Sequence, residues 1–394
     1  MSHEPNLNRA LELVLALMPI PGRSGEEATV AKFIREHLEA AGVAPEDIVT
    51  DKAHTKTPLA GNTGNLILKL PGTVKGPRRM LSAHMDTVPL CVGSQPRREG
   101  DFIRSANPAT ALGADDRSGA AVVLNTALEV IERKLPHPPL TFCWFIQEEI
   151  GLYGARFADA KLLGKPAMCF NYDGGSAGKV TIGATGGYRM TIDVRGIASH
   201  AGVAPDQGVS AIAIASMAIA DLHRGGWHGL VIKGSQRGTS NVGVIAGGDA
   251  TNVVTDRVQL RVEARSHNPK FRERIVREIE KAFKNAAKEV TSSLKKKGSV
   301  TFDGRLDYEA FKLSDKEPCV AVGRSAVESI DREPELAISN GGLDANWLFQ
   351  HGIPTVTLGS GQQSPHTVNE ALCIPDFQDG CRVALRIATG TSKN

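Results

Sequence analysis

Nowhere do the 394 residues string together the ~18 apolar side chains that a membrane-crossing helix needs. The beginning, Met1 to Arg9, is polar and offers no hydrophobic signal segment, so a cytoplasmic location is the expectation. Cysteine is scarce and scattered: Cys91, Cys143, Cys169, Cys319, Cys373 and Cys381 include no CxxC pair, and several sit inside apolar runs. That pattern argues against a disulfide framework and for reduced core thiols. Excess charge is lacking too, since a net +3 is too small at this length to suggest a nucleic-acid or membrane partner. What is left is a globular chain, 41% hydrophobic, long enough to fill the cores of two or three domains.

The most informative stretch is 140–151. Leu140 to Ile146 is apolar and β-prone without alternation, the pattern of a strand buried on both faces of a parallel sheet. It stops at Gln147, Glu148 and Glu149. Adjacent carboxylates there need solvent, cations or metal, because burying an uncompensated carboxylate costs roughly several kcal/mol or more. Read alone, they are as well explained as a Glu pair opening the next turn.

Other strands end in the same way. Residues 79–83 run into His84, Met85 and Asp86, and on an extended chain His84 and Asp86 share a face. Asp86 can then hold the ring nitrogen that His84 does not use for a metal, although a hydrogen-bonded surface histidine is the blander reading. In 112–119 glycines flank Asp115 and Asp116 at the head of an apolar helix, where backbone amides also point; an ordinary Asp N-cap is the alternative. A strand at 167–170 leads to Asp173, and one at 353–358 leads through a Gly-rich turn to His366. In an open α/β sheet ligands collect beyond the carboxyl ends of the strands, so the joint pattern points to one shared site.

Around these strands, Leu7, Leu11, Val14, Leu15 and Met18 recur at helical spacing until Pro19, Pro21 and Gly22. Ser24 with Glu27 reads as a capping box for a second helix running to about Ala41. Between 185 and 305 the texture changes to strand 188–194, helix 209–222, strands 242–246 and 258–262, helix 269–294 and strand 299–302. That βαββαβ order predicts an inserted domain at 185–305 between 1–184 and 306–394. Lys295, Lys296 and Lys297 read as the solvated end of its second helix. The expected fold class is therefore α/β: a mainly parallel sheet sandwiched by helices, interrupted by a βαββαβ insertion.

The segments SAHMDTVP (82–89), LGADDRSG (112–119), QEEIGLYGA (147–155), NYDGG (171–175), RGIASHAGVAPDQGVSAI (195–212) and SPHTVNE (364–370) follow one another along the chain. In this order they resemble the motifs of the M20 family of dinuclear zinc peptidases, over nearly the whole length. NYDGG, GGLDAN (341–346) and the Gly-Ala-Asp-Asp turn are most similar to the peptidase T branch. The resemblance implies a zinc exopeptidase-like catalytic domain carrying an inserted lid and dimerisation domain, and hence a homodimer. It implies two zinc ions per subunit, one held by His84, Asp115 and Asp173 and the other by Asp115, Glu149 and His366. Asp115 rather than Asp116 is the bridge, because the family pattern is Asp, any residue, then a basic residue, met here by Asp115, Asp116 and Arg117, although lysine is commoner in that last place. A cis peptide between Asp115 and Asp116 is implied as well.

The same resemblance makes Glu148 the general base and brings His200 from the partner subunit to the tetrahedral intermediate. Taken alone, His200 is a loop histidine capping a helix that starts near Gln207. Asn252 and Arg265 match residues that bind polar groups of the substrate, a structural salt bridge being the alternative for Arg265. Oxygen and imidazole ligands suit zinc first, with cobalt or manganese able to substitute. The expected activity is hydrolysis of short peptides, tripeptide-aminopeptidase-like, with carboxypeptidase or N-acyl amino acid deacylase as alternatives on one metal core. A noncatalytic binding protein on the same scaffold would be expected to have lost the base or a ligand, and none is missing.

Overall fold

The run Leu140–Phe145 is a strand with every residue buried, as its unbroken apolar character requires. In the computed structural model, which describes residues 3–390, it lies next to Arg79–His84 inside a mixed sheet. The order across that sheet is Ile48–Thr50, Leu66–Leu70, Leu140–Phe145, Arg79–His84, Met168–Tyr172, Thr355–Leu358 and Lys179–Ala184, with Glu335–Ser339 also pairing with Lys179–Ala184. Leu140–Phe145, Arg79–His84, Met168–Tyr172 and Thr355–Leu358 are mutually parallel, so their carboxyl ends open on one edge. Antiparallel neighbours flank them. Helices cover both faces: Ala114–Glu132 and Ile374–Thr389 on one, Asp344–Gln350 with Tyr153–Arg156 on the other.

This sheet belongs to the first of two compact units, Met1–Ala184 with Lys312–Asn394; the second is Thr185–Phe311. The second unit has its own sheet, ordered Gly229–Lys233, Gln236–Ala246, Arg257–Ser266, Gly186–Arg195 and Ser299–Tyr308, antiparallel throughout. Helices Ala211–Arg224 and Pro269–Glu289 close a core that includes Ile192, Ile214, Leu260, Phe271, Ile279 and Phe283.

Three local expectations differ from the structure. The edge strand Gly229–Lys233 adds a member to the βαββαβ order; only Val231 is buried while Leu230 and Ile232 are exposed, so a single inward residue is all that announces it. Ser299–Tyr308 runs past residue 302, while the charged helix stops at Glu289 and leaves Lys295–Lys297 in an exposed turn. The capping box at Ser24 and Glu27 does not form: Glu27 is itself the N-cap residue of Ala28–Ala40 and makes no side-chain cap hydrogen bond. Both side chains are drawn inward by polar partners from other segments. Ser24 donates to Asp86, and Glu27 accepts from the backbone of Gln147.

Candidate active site

At the open edge of the first unit's sheet, the chain leaves each parallel strand carrying an acid or an imidazole. His84 is the last residue of its strand and is buried. Its Nδ1 lies 3.1 Å from the main-chain oxygen of Asp86 and 3.4 Å from Asp86 Oδ1. An N–H donated there leaves the Nε2 lone pair facing Asp115 Oδ1, 3.1 Å away. Asp115 stands at the start of Ala114–Glu132, after Gly113 at φ 84°, and its peptide bond to Asp116 is cis. Gly119 lets this helix come close: a Cβ there would sit 1.9 Å from the Tyr172 carbonyl oxygen.

The second oxygen of Asp115 faces another imidazole, with Asp115 Oδ2 at 3.3 Å from His366 Nε2. His366 hangs in the loop between Gln362–Gln363 and Ala371–Cys373, which pair as a hairpin, and its Nε2 also lies 2.8 Å from Glu149 Oε2. Asp173, directly after Met168–Tyr172, has Oδ1 at 4.0 Å from His84 Nε2 and accepts from Gln362 Nε2 at 2.9 Å. Ligand atoms of His84, Asp115 and Glu149 fall within 4.8 Å of one another, as do those of His84, Asp116 and Asp173. The carboxylate of Glu148 accepts no hydrogen bond among the described residues and is partly exposed, beside Glu149.

A model of the peptidase dimerisation domain of the M20 family matches residues 182–291. One of peptidase family M28 matches 65–201, the stretch that carries His84, Asp115, Glu148, Glu149 and Asp173. A tripeptidase structure from Staphylococcus aureus shares 31% identity at a TM-score of 0.86, covering 98% of this chain and 99% of its own. An aminopeptidase PepT structure from Bacillus cereus shares 32% at 0.82, with 98% of each chain covered. The chain belongs to the M20 metallopeptidase family, peptidase T type. The uncharacterized protein YqjE of Bacillus subtilis is 31% identical over 98% of this chain and 100% of its own length.

Several groups at this M20 site were not foreseen from the sequence. Asp116 is wholly buried and accepts the backbone N–H groups of His84 at 3.1 Å and Gly119 at 3.0 Å, which ties both oxygens to the main chain. Glu370 accepts from the backbone of Leu112 (2.9 Å), Gly113 (2.8 Å) and Asp115 (2.9 Å), clamping the aspartate turn. Arg117 is fully buried and donates to the carbonyls of Met85, Ile20 and Gly22, a fixed cation among the acids; burial pushes its guanidinium down to about 10. Asp344, from the GGLDAN segment, is also buried, and neither carboxylate oxygen has a hydrogen-bond partner among the described residues. The sequence marked its segment by the likeness of GGLDAN to the peptidase T branch, but gave Asp344 no role.

The electrostatics fit a site for cations. Burial, reinforced by Asp115, pushes Asp173 up to about 7. Burial pushes Glu149 up to about 7 against its hydrogen bond from His366, with Asp115 adding repulsion. Hydrogen bonds to the carboxylates of Asp115 and Glu149 hold His366 up to about 10. Burial raises Glu148 well above the usual range against the pull of His84, with Asp173, Glu149 and Asp344 adding to the rise. Carboxylates crowded this closely keep protons unless cations replace them, and carboxylate oxygens with imidazole nitrogens are the donor set for borderline divalent ions.

The remaining three sequence candidates lie in the second unit. His200 is exposed; its Nδ1 accepts the backbone N–H groups of Gly202 (3.1 Å) and Val203 (3.2 Å), so the ring hydrogen resides on Nε2. It does not cap the following helix, Ala211–Arg224, whose cap is Ser210. Asn252 lies beside it, with its carbonyl accepting the Ala201 N–H at 2.9 Å. Arg265 forms a two-pronged pair with Glu263, at 3.1 and 2.9 Å. Among the described residues, no helix is long and apolar enough to cross a membrane.

Proposed function

We propose that this chain is a dizinc aminopeptidase of short peptides, tripeptides foremost. The observation that carries the reading is Asp115, a single carboxylate whose two oxygens face the imidazoles of His84 and His366. His84, Asp115 and Asp173 would hold one ion, and Asp115, Glu149 and His366 the other, with cobalt or manganese able to replace zinc. Bound there, such a pair lowers the pKa of a water and polarises the scissile carbonyl.

The remaining work falls to the chain's own side chains. Glu148, whose carboxylate accepts no hydrogen bond among the described residues and lies next to Glu149, takes the water proton on that carboxylate and returns it to the nitrogen of the leaving amine. Asp86 serves twice, orienting the His84 ring and accepting the backbone N–H of Glu148 at 3.0 Å. His200, with its hydrogen on an exposed Nε2, donates to the substrate oxyanion of the partner subunit in a homodimer built through the dimerisation domain. Asn252 contacts substrate polar groups next to it, and Arg265 binds a carboxylate by exchanging its Glu263 partner.

Peptidase T relatives and the S. aureus tripeptidase support the substrate class. A panel of free, N-acetylated and C-amidated tripeptides tests it. N-acetylation should abolish cleavage and C-amidation should not; the reverse pattern marks a carboxypeptidase, and preferred cleavage of the acetyl group a deacylase. Mixing Glu148→Ala and His200→Ala subunits tests the dimer. Two inactive parents should yield about a quarter of wild-type activity through mixed pairs if His200 acts across the interface, and none if it acts within its own chain.

A further inference from the structure

The turn after Leu140–Phe145 bears both Glu148 and Glu149, and three successive backbone N–H groups in it end on buried carboxylates. Glu148 and Glu149 donate to the two oxygens of Asp86, at 3.0 and 3.2 Å. Gln147 donates to Glu27 Oε1 at 3.0 Å. Glu27 is fully buried; the same oxygen accepts the Gly25 N–H at 2.8 Å, while Oε2 has no hydrogen-bond partner among the described residues. Gln147 sits at φ 52°, and its side chain donates to the Ala60 carbonyl at 2.9 Å. The chain thus changes direction at Gln147, one residue ahead of Glu148. The orientation of the Gln147 peptide therefore sets where the Glu148 side chain points.

We propose that Glu27 is a positioning residue for the base: by holding the Gln147 N–H it aims the Glu148 carboxylate, and the inference rests on Glu148 acting as proposed above. Asp86 fixes the two peptides beyond the bend and Glu27 the one at it, so the turn is held from both sides. Ser24, three residues before Glu27, donates to Asp86 Oδ2 at 2.6 Å and joins the two supports. Among the described residues the Glu27 carboxylate hydrogen-bonds to none of the proposed ligands, and its contribution is geometric. A carboxylate or an amide oxygen at the same reach serves equally, whereas a shorter side chain does not.

Two variants separate reach from charge. Glu27→Asp keeps the charge but withdraws the acceptor by one methylene; Glu27→Gln keeps the acceptor and loses the charge. With a tripeptide substrate, Glu27→Asp should lower kcat about tenfold or more, with KM within about twofold of wild type and the metal content unchanged. Glu27→Gln should retain most of kcat. In the metal-free protein, hydrogen exchange at the amides of 147–149 should rise in Glu27→Asp and stay protected in Glu27→Gln. The proposal is overturned if Glu27→Asp keeps wild-type kcat, if its lost activity follows lost metal, if exchange is unchanged, or if Glu27→Gln is equally impaired. Glu148→Ala serves as the control: full turnover in that variant places the failure on the base itself, whereas an inactive Glu148→Ala beside an unimpaired Glu27→Asp places it on Glu27.

Discussion

A general base is recognised by what its carboxylate lacks. Glu148 has neither a salt-bridge partner nor a hydrogen-bond donor among the described residues, while its neighbour Glu149 is engaged with His366. Removing it should therefore disturb little except proton transfer. Glu148→Ala is expected to keep the fold and the metal content, measured by elemental analysis, while kcat falls by at least about a hundredfold. Turnover near wild type would strip Glu148 of its role.

Whole segments are held by buried acids that accept backbone N–H groups, and this is where elements gain their placement. Glu370 is the clearest case, since one carboxylate fixes Leu112, Gly113 and Asp115 at the head of Ala114–Glu132. Glu370→Ala would strand three N–H donors in a buried turn, each costing about 1–3 kcal/mol unless water enters. Denaturant unfolding of the metal-free variant should show a loss of at least about 2 kcal/mol, and an unchanged midpoint would assign these hydrogen bonds no net worth. Glu370→Gln, which keeps an acceptor, should lose less.

Across the molecule, the crowded acids link stability to pH. In metal-free protein Asp173 and Glu149 are held up to about 7, above their ordinary 3.8 and 4.5. Between those values the folded state retains protons that the unfolded chain has released, so stability falls as pH rises. His366, raised to about 10, adds stability that is full below about 6.5 and lost as pH climbs through about 10, the same sign. Thermal midpoints of chelated protein should therefore fall from about pH 5 through about 7 to about 9. Zinc should reverse the trend, because its ligands bind once deprotonated and affinity rises with pH. A flat or rising profile in the chelated protein would exclude this charge balance.

The sequence by itself determined the strands of the parallel sheet and the acids and imidazoles at their ends, because a strand buried on both faces shows as an unbroken apolar run and its chemistry follows within a few residues. His84, Glu149 and Asp173 were legible in this way, His366 only across a Gly-rich turn, and Asp115 from the glycine-flanked head of a helix and the motif order; the structure brings them to one edge. It also carried the alternation of helices and strands that separates the second unit, though not Gly229–Lys233, where Leu230 and Ile232 face outward and only Val231 is buried. Only the tertiary structure decided which carboxylates serve the main chain. Glu27 and Gln147 are 120 residues apart, and Glu370 and Leu112 258 apart. Ser24 and Glu27 look locally like a helix cap and become a support for the turn at Glu148, because a short-range hydrogen bond yields to buried polar partners from distant segments, the Asp86 carboxylate for one and the Gln147 N–H for the other.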